Sequence, residues 1–279
     1  MTKTITEIIS TRRLYFKIIS KSDIDRYSLK KMDYSSERFQ TNQEIIGFRP
    51  VLALSKPDII SELAERYFRA GCDIIVIESG SINKYKLQKY GLSQLSYELN
   101  YSYGKLVHEK ASKYSNITRD KPRFVAGEIT GLPDDLSKEE LKIIYTEQYK
   151  ALYAAKVDLI LFNNFETIEQ TIFLIELLNN LMIKRNKSTE FIISNKDENY
   201  LKEISKVLSE KVYSNINLIS ICSESKLQME EGKNYYGSVL IDIEDKNNIE
   251  KIKEFLENKE FKLVGFRENI TPDMLNKII

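Results

Sequence analysis

Histidine is almost missing from this chain, with His108 as its single representative. Cysteine is scarce as well, confined to Cys72 and Cys222, and tryptophan is absent. One histidine excludes a His-rich metal centre. Two cysteines exclude a disulfide framework and make a reducing, cytoplasmic compartment the default expectation. No run of about 18 apolar residues occurs and no apolar signal region opens the chain, so no membrane association is expected. An excess of one charge is lacking too: 42 basic residues face 41 acidic ones, for a net charge of +1. That balance gives no electrostatic footing for nucleic acid or for a lipid surface.

What is present is enough for a large core. The chain has 279 residues, 42% of them hydrophobic, and a single α/β barrel typically takes about 250. Short apolar runs read as strands at residues 14–19, 72–77, 123–129, 157–162, 191–194, 218–222, 239–243 and 261–264. Between most of them lie helical patterns, at 56–70, 93–114, 137–155, 168–183, 198–210, 247–257 and from Pro272 to the end. Ser137 and Glu140 form a capping-box pair, and Gly71 is a stop after the first long helix. Residues 223–232 read as a weak helix, and 20–48 as a polar segment too long for an ordinary connection. Eight strands alternating with helices predict a single-domain (β/α)₈ TIM barrel over 1–279, with room for distortion. A doubly wound open sheet is the alternative, since pattern alone does not show closure.

In such a barrel the chemistry sits where strands turn into helices. The last of these turns is Gly265-Phe266-Arg267-Glu268-Asn269-Ile270, with Thr271 as an N-cap and Pro272 as a first helical residue. Glu78, Asn163 and Asn164 follow earlier strands and belong to the same end.

The segment Asp33-Tyr34-Ser35-Ser36-Glu37-Arg38-Phe39, followed by Leu52-Ala53-Leu54-Ser55-Lys56-Pro57-Asp58, resembles the homocysteine-binding module of cobalamin-dependent methionine synthase. So do Tyr67-Phe68-Arg69-Ala70-Gly71-Cys72-Asp73, Arg123-Phe124-Val125-Ala126-Gly127 and Val157-Asp158-Leu159-Ile160-Leu161, in that order. The resemblance covers nearly the whole chain and implies a (β/α)₈ barrel. It also implies methyl transfer to a thiol held on a zinc by three cysteine thiolates, one closing a strand and two adjacent after the last strand. Zinc keeps such a thiol as a nucleophilic thiolate.

Matched position by position, the first cysteine falls on Cys222 and the adjacent pair on Arg267 and Glu268. A guanidinium cannot ligate metal, so no metal and no cofactor are expected. The family's acid and glycines at the first strand fall on Lys17-Ile18-Ile19-Ser20, and its Glu-Thr pair after the fourth strand falls on Asn163-Asn164. Packing motifs are kept while mouth motifs are replaced.

The candidate binding residues at the mouth are therefore Lys17, Glu78, Asn163, Asn164, Cys222, Arg267 and Glu268. Each has a bland counterpart. Cys222 is as a rule a small buried residue, and Arg267 with Glu268 equally a surface pair. Lys17 and Glu78, on neighbouring strands, are a candidate salt bridge, and a mouth filled by Lys17 and Phe266 would fit a non-catalytic chain. The expected function is a binding or interaction protein of methyl-transfer metabolism. It would take a small thiol or amino-acid ligand, with a corrinoid protein or methyltransferase component as partner. The alternative is a zinc-independent S-methyltransferase with a rebuilt mouth.

Overall fold

In a computed structural model, the chain is described over residues 5–27, 29, 45, 47–211, 213–225, 238–241, 249–257 and 260–279. Side chains of 216, 217 and 219–225 lie outside that description, as do the segments at 33–39 and 226–232. The strands are β1 (Leu14–Ile18), β2 (Ile74–Ile77), β3 (Phe124–Thr130), β4 (Leu159–Asn163), β5 (Thr189–Asn195), β6 (Ile216–Ser225), β7 (Ser238–Ile241) and β8 (Leu263–Phe266). They close in sequence order, each parallel to the next, and β8 returns to β1 through Leu14↔Leu263 to Lys17↔Phe266. Closure removes the open edge that a doubly wound sheet would keep, so the barrel reading holds.

The helices are α1 (Ile5–Ile9), α2 (Lys21–Asp25), α3 (Leu52–Ser55), α4 (Pro57–Arg69), α5 (Lys84–Leu87) and α6 (Ser96–Ile117). They continue with α7 (Lys138–Ala154), α8 (Ile168–Ile183), α9 (Glu198–Glu210), α10 (Ile249–Glu257) and α11 (Pro272–Ile278). Local chemistry sets their ends. Ser137 accepts from the Glu140 backbone N–H while Glu140 reaches back to Ser137, completing the capping box of α7. Thr271 caps α11 by accepting from Met274 N–H, ahead of Pro272. Gly71 leaves α4 at φ +100°, a left-handed conformation that favours glycine.

Strand alternation divides the core in two. Leu14, Phe16, Ile18, Ile74, Val76, Phe124, Ala126, Leu159, Leu161, Ile192, Leu240 and Leu263 form one apolar cluster inside the barrel. Ile5 and Ile8 of α1 join it at the end where the strands begin. The intervening residues, among them Ile75, Ile77, Val125, Ile160, Phe162, Val264 and Phe266, pack outward against the helices. Two expectations shift. β8 lies further along than 261–264, and β6 runs on through residues 223–225, which read as helix in the sequence. Pairing of Ser223–Ser225 with β7 overrides their polar composition.

Candidate active site at the barrel mouth

Continuing each strand's inward face by one more pair of residues reaches the C-terminal end of the barrel, and there the chemistry changes. After Ile74 and Val76 comes Glu78, after Phe124 and Ala126 comes Glu128, and after Leu159 and Leu161 comes Asn163. Ile192 is followed by Ser194, and Leu263 by Gly265 and then Arg267. Gly265 has a packing reason: a Cβ there would stand 2.1 Å from Cζ of Phe16.

With Arg49 they form one ion pair and one hydrogen-bonded chain of three residues. Arg49, in a short 3₁₀ turn ahead of α3, grips Glu78 in bidentate fashion, with Nε donating to Oε2 at 3.0 Å and an Nη to Oε1. Arg267 donates from Nη2 to Asn163 Oδ1 at 3.2 Å, and Asn163 Nδ2 donates to Glu128 Oε1 at 2.5 Å. Glu128 is 8% exposed and Asn163 3%. Burial raises the Glu78 carboxyl to about 7, against the pull of Arg49, and the charges of Glu128 and Glu268 push the same way. Burial opposes the Arg49 charge, but Glu78 more than offsets it and leaves Arg49 above its ordinary value. At one rim, Lys86 Nζ donates to the Gly80 carbonyl at 3.2 Å and to Thr130 Oγ1.

Three of the sequence candidates thus converge inside the mouth: Glu78, Asn163 and Arg267. Glu268 is half-buried, and its charge acts on Lys17, Arg49 and Glu78. Asn164 supplies geometry: at φ +51° it turns the chain out of β4, and its N–H donates to the Ser194 carbonyl at 3.0 Å. Cys222 stands in register with Ser194 on β6, and its side chain lies outside the described residues.

Lys17 is placed differently. It lies between the inward residues Phe16 and Ile18, so its side chain points outward, on the opposite face of the sheet from Glu78. The Lys17–Glu78 salt bridge therefore does not form. Lys17, fully buried, donates to Asp23 Oδ2 at 2.7 Å and to the Arg267 carbonyl at 2.6 Å. Burial lowers its pKa while Asp23 works to hold its charge. Tyr67 completes this cluster: its hydroxyl lies against Asp23 Oδ1 and 2.7 Å from the Ile270 carbonyl. Phe266 also packs outward, so neither residue fills the mouth. Arg49, Glu128 and Ser194 were missed. Glu128 was visible as the one charge within an apolar strand; Arg49 had no local signal.

Among the described residues the mouth's donor set does not suit a thiolate zinc site. Phe266 faces the helices, the Arg267 guanidinium bonds Asn163, and no group of three His, Cys, Asp or Glu among the described residues could hold a metal. Of the thiols, Cys72 is buried with Sγ 3.1 Å from the Ile74 carbonyl, and burial pushes it up to about 12. His108 lies on α6, its Nε2 3.3 Å from Ser112 Oγ, away from the mouth residues. No helix among the described residues is long and apolar enough to cross a membrane.

In closed parallel barrels functional sites lie at the C-terminal mouth, and here carboxyl, guanidinium and amide side chains gather at that end. The family model for homocysteine S-methyltransferase matches residues 26–221. The chain belongs to the homocysteine S-methyltransferase family. Its fold is similar to that of the homocysteine methyltransferase MmuM from Escherichia coli. The metallated form aligns with a TM-score of 0.71 at 14% identity, covering 98% of each chain. The oxidized form aligns at 0.69 and 14% identity, over 95% of this chain and 94% of that one. More remotely, the carboxyl transferase domain of Rhizobium etli pyruvate carboxylase aligns at 0.51 and 10% identity, over 98% of this chain and 47% of that one.

Proposed function

We propose that this chain is a metal-independent member of its family that binds a small zwitterionic amino acid or thiol at the barrel mouth. On this reading it acts as a binding or interaction protein in methyl-transfer metabolism, in the cytoplasm. What supports it is the network of charged side chains at the mouth. Arg267 stands where the resemblance puts a ligating cysteine, and it is tied through Asn163 to Glu128, beside the Arg49–Glu78 pair. Guanidinium and carboxylate groups side by side suit the two charges of an amino acid. A corrinoid protein or another methyltransferase component is the partner that family membership suggests.

The test is metal analysis of the purified protein, followed by calorimetric titration with homocysteine. The expected result is zinc far below one per chain, unchanged by Cys222→Ser, with saturable ligand binding that is lost in Arg267→Ala. Near-stoichiometric zinc that disappears with Cys222→Ser overturns the reading.

A second reading, a zinc-independent transferase, is favoured by Glu78. A carboxyl raised to about 7 exchanges a proton at neutral pH, as general acid–base catalysis requires. It calls for methyl transfer without added metal, with a pH-rate limb near 7 that Glu78→Gln removes.

A further inference from the structure

Outside the barrel, between α4 and α11, a groove of about 640 Å³ is lined by Arg26, Arg66, Arg69, Thr271, Asp273 and Asn276. None of the inward mouth residues lines it. Three guanidinium groups face one carboxylate, in a chain whose overall net charge is only +1.

Among the described residues none of the three arginines is held by a close, buried carboxylate of its own, although Arg26 Nη2 donates to the Ile270 carbonyl at 3.4 Å and Arg69 Nε to the Tyr114 hydroxyl at 3.3 Å. Arg26 reaches Asp23 only at 3.8 Å, and Asp23 is already held by Lys17 at 2.7 Å. Arg66 pairs with Glu62 one helical turn away, but the two side chains are 53% and 49% exposed, which leaves the pair weak. Arg69 lies 3.2 Å from Glu65, a carboxylate that also takes Lys110 at 3.0 Å and Lys113 at 2.9 Å. One carboxylate thus serves three cations. Thr271 and Asn276 complete the polar lining.

We infer that this groove is a second binding site, for a soluble phosphate ester or diphosphate. Guanidinium forks recognise phosphate oxygens in bidentate fashion, and three of them compensate a dianion without a metal. The volume of about 640 Å³ holds a phosphorylated small molecule.

The test is calorimetric titration of the full chain with inorganic pyrophosphate at low ionic strength. It compares wild type, Arg66→Gln/Arg69→Gln, and a control, Lys202→Gln/Lys206→Gln, on the outer face of α9. Saturable binding is expected in wild type and control, with a loss of about tenfold or more in the arginine variant, because two charge-assisted pairs are removed. Circular dichroism of the variant should match wild type. The proposal is overturned if pyrophosphate fails to saturate at millimolar concentration, or if both double variants lose affinity equally. Binding to vesicles containing phosphatidic acid, with no binding of soluble pyrophosphate, would assign the groove to a lipid headgroup and also overturn it.

Discussion

At the floor of the barrel Phe16, Val76, Ala126, Leu161 and Leu240 pack as an apolar layer, whereas one layer higher the same faces present Glu78, Glu128, Asn163 and Arg267. The floor is held by shape. Its tightest point is Gly265, which leaves room for the Phe16 ring. The mouth is held by charge and hydrogen bonding, where burial must be offset by a partner for every ion. A strand can therefore change its chemistry in a step of two residues without changing its backbone. The scaffold and the site answer to separate demands, and one can be rewritten while the other is kept.

Variants can break this division, the most damaging first. Lys17→Met removes the cation that holds Asp23 and the Arg267 carbonyl together behind the mouth. A loss of about 3 kcal/mol in urea unfolding is expected, since the buried Asp23 carboxylate loses its close cation and keeps Arg26 only at 3.8 Å. Adding Asp23→Asn should recover part of it; if the double variant is as unstable as the single one, the ion pair is not the reason. Next, Gly265→Ala should cost about 1–3 kcal/mol through overpacking against Phe16. Relief by Phe16→Leu distinguishes crowding from a backbone effect. Arg267→Ala, two residues on but in the mouth, should cost about 1 kcal/mol for the loss of its half-exposed hydrogen bond to Asn163. A larger loss than that of Gly265→Ala would erase the contrast between the layers.

The pH dependence sharpens the same contrast. The Glu78 carboxyl is raised from 4.5 to about 7, so the folded protein binds this proton more tightly than the unfolded chain. Its contribution to stability is fully present below 4.5 and is lost as pH rises through 7. Unfolding free energies measured across that window should fall for wild type and stay flatter for Glu78→Gln; parallel curves would refute the assignment. The smallest effect belongs to the outer surface. Salt-bridge hydrogen bonds from Lys113 and Lys110 draw Glu65 down to about 2, so its contribution is present above 4.5 and lost as pH falls through 2. Glu65→Gln should change only the acid limb, and slightly, because the site is open to water.

Much of this was legible in residue order. The helices Ile168–Ile183 and Glu198–Glu210 run where the apolar spacing put them, and the caps at Ser137 and Thr271 form as their spacing requires. Glu78, Asn163 and Arg267 were placed at the mouth because each follows a strand. Lys17 was misread because its face was not counted: as a neighbour of Phe16 and Ile18 it points outward. Glu128 could have been found by the same count from Phe124 and Ala126. Arg49 could not, since its partner Glu78 lies 29 residues away and nothing nearby marks either end of the pair.

The sequence by itself determined the eight strands, most of the helices between them, their caps and the alternation of faces, because these depend on residues within a turn or two of each other. Tertiary structure decided closure, which needs β8 to meet β1 across the length of the chain, and it decided which charges share a space. Arg267 reaches Asn163 across 104 residues and Lys17 reaches the Arg267 carbonyl across 250. No local pattern encodes such meetings; they follow from the strand register and from the cost of leaving a buried ion without a partner.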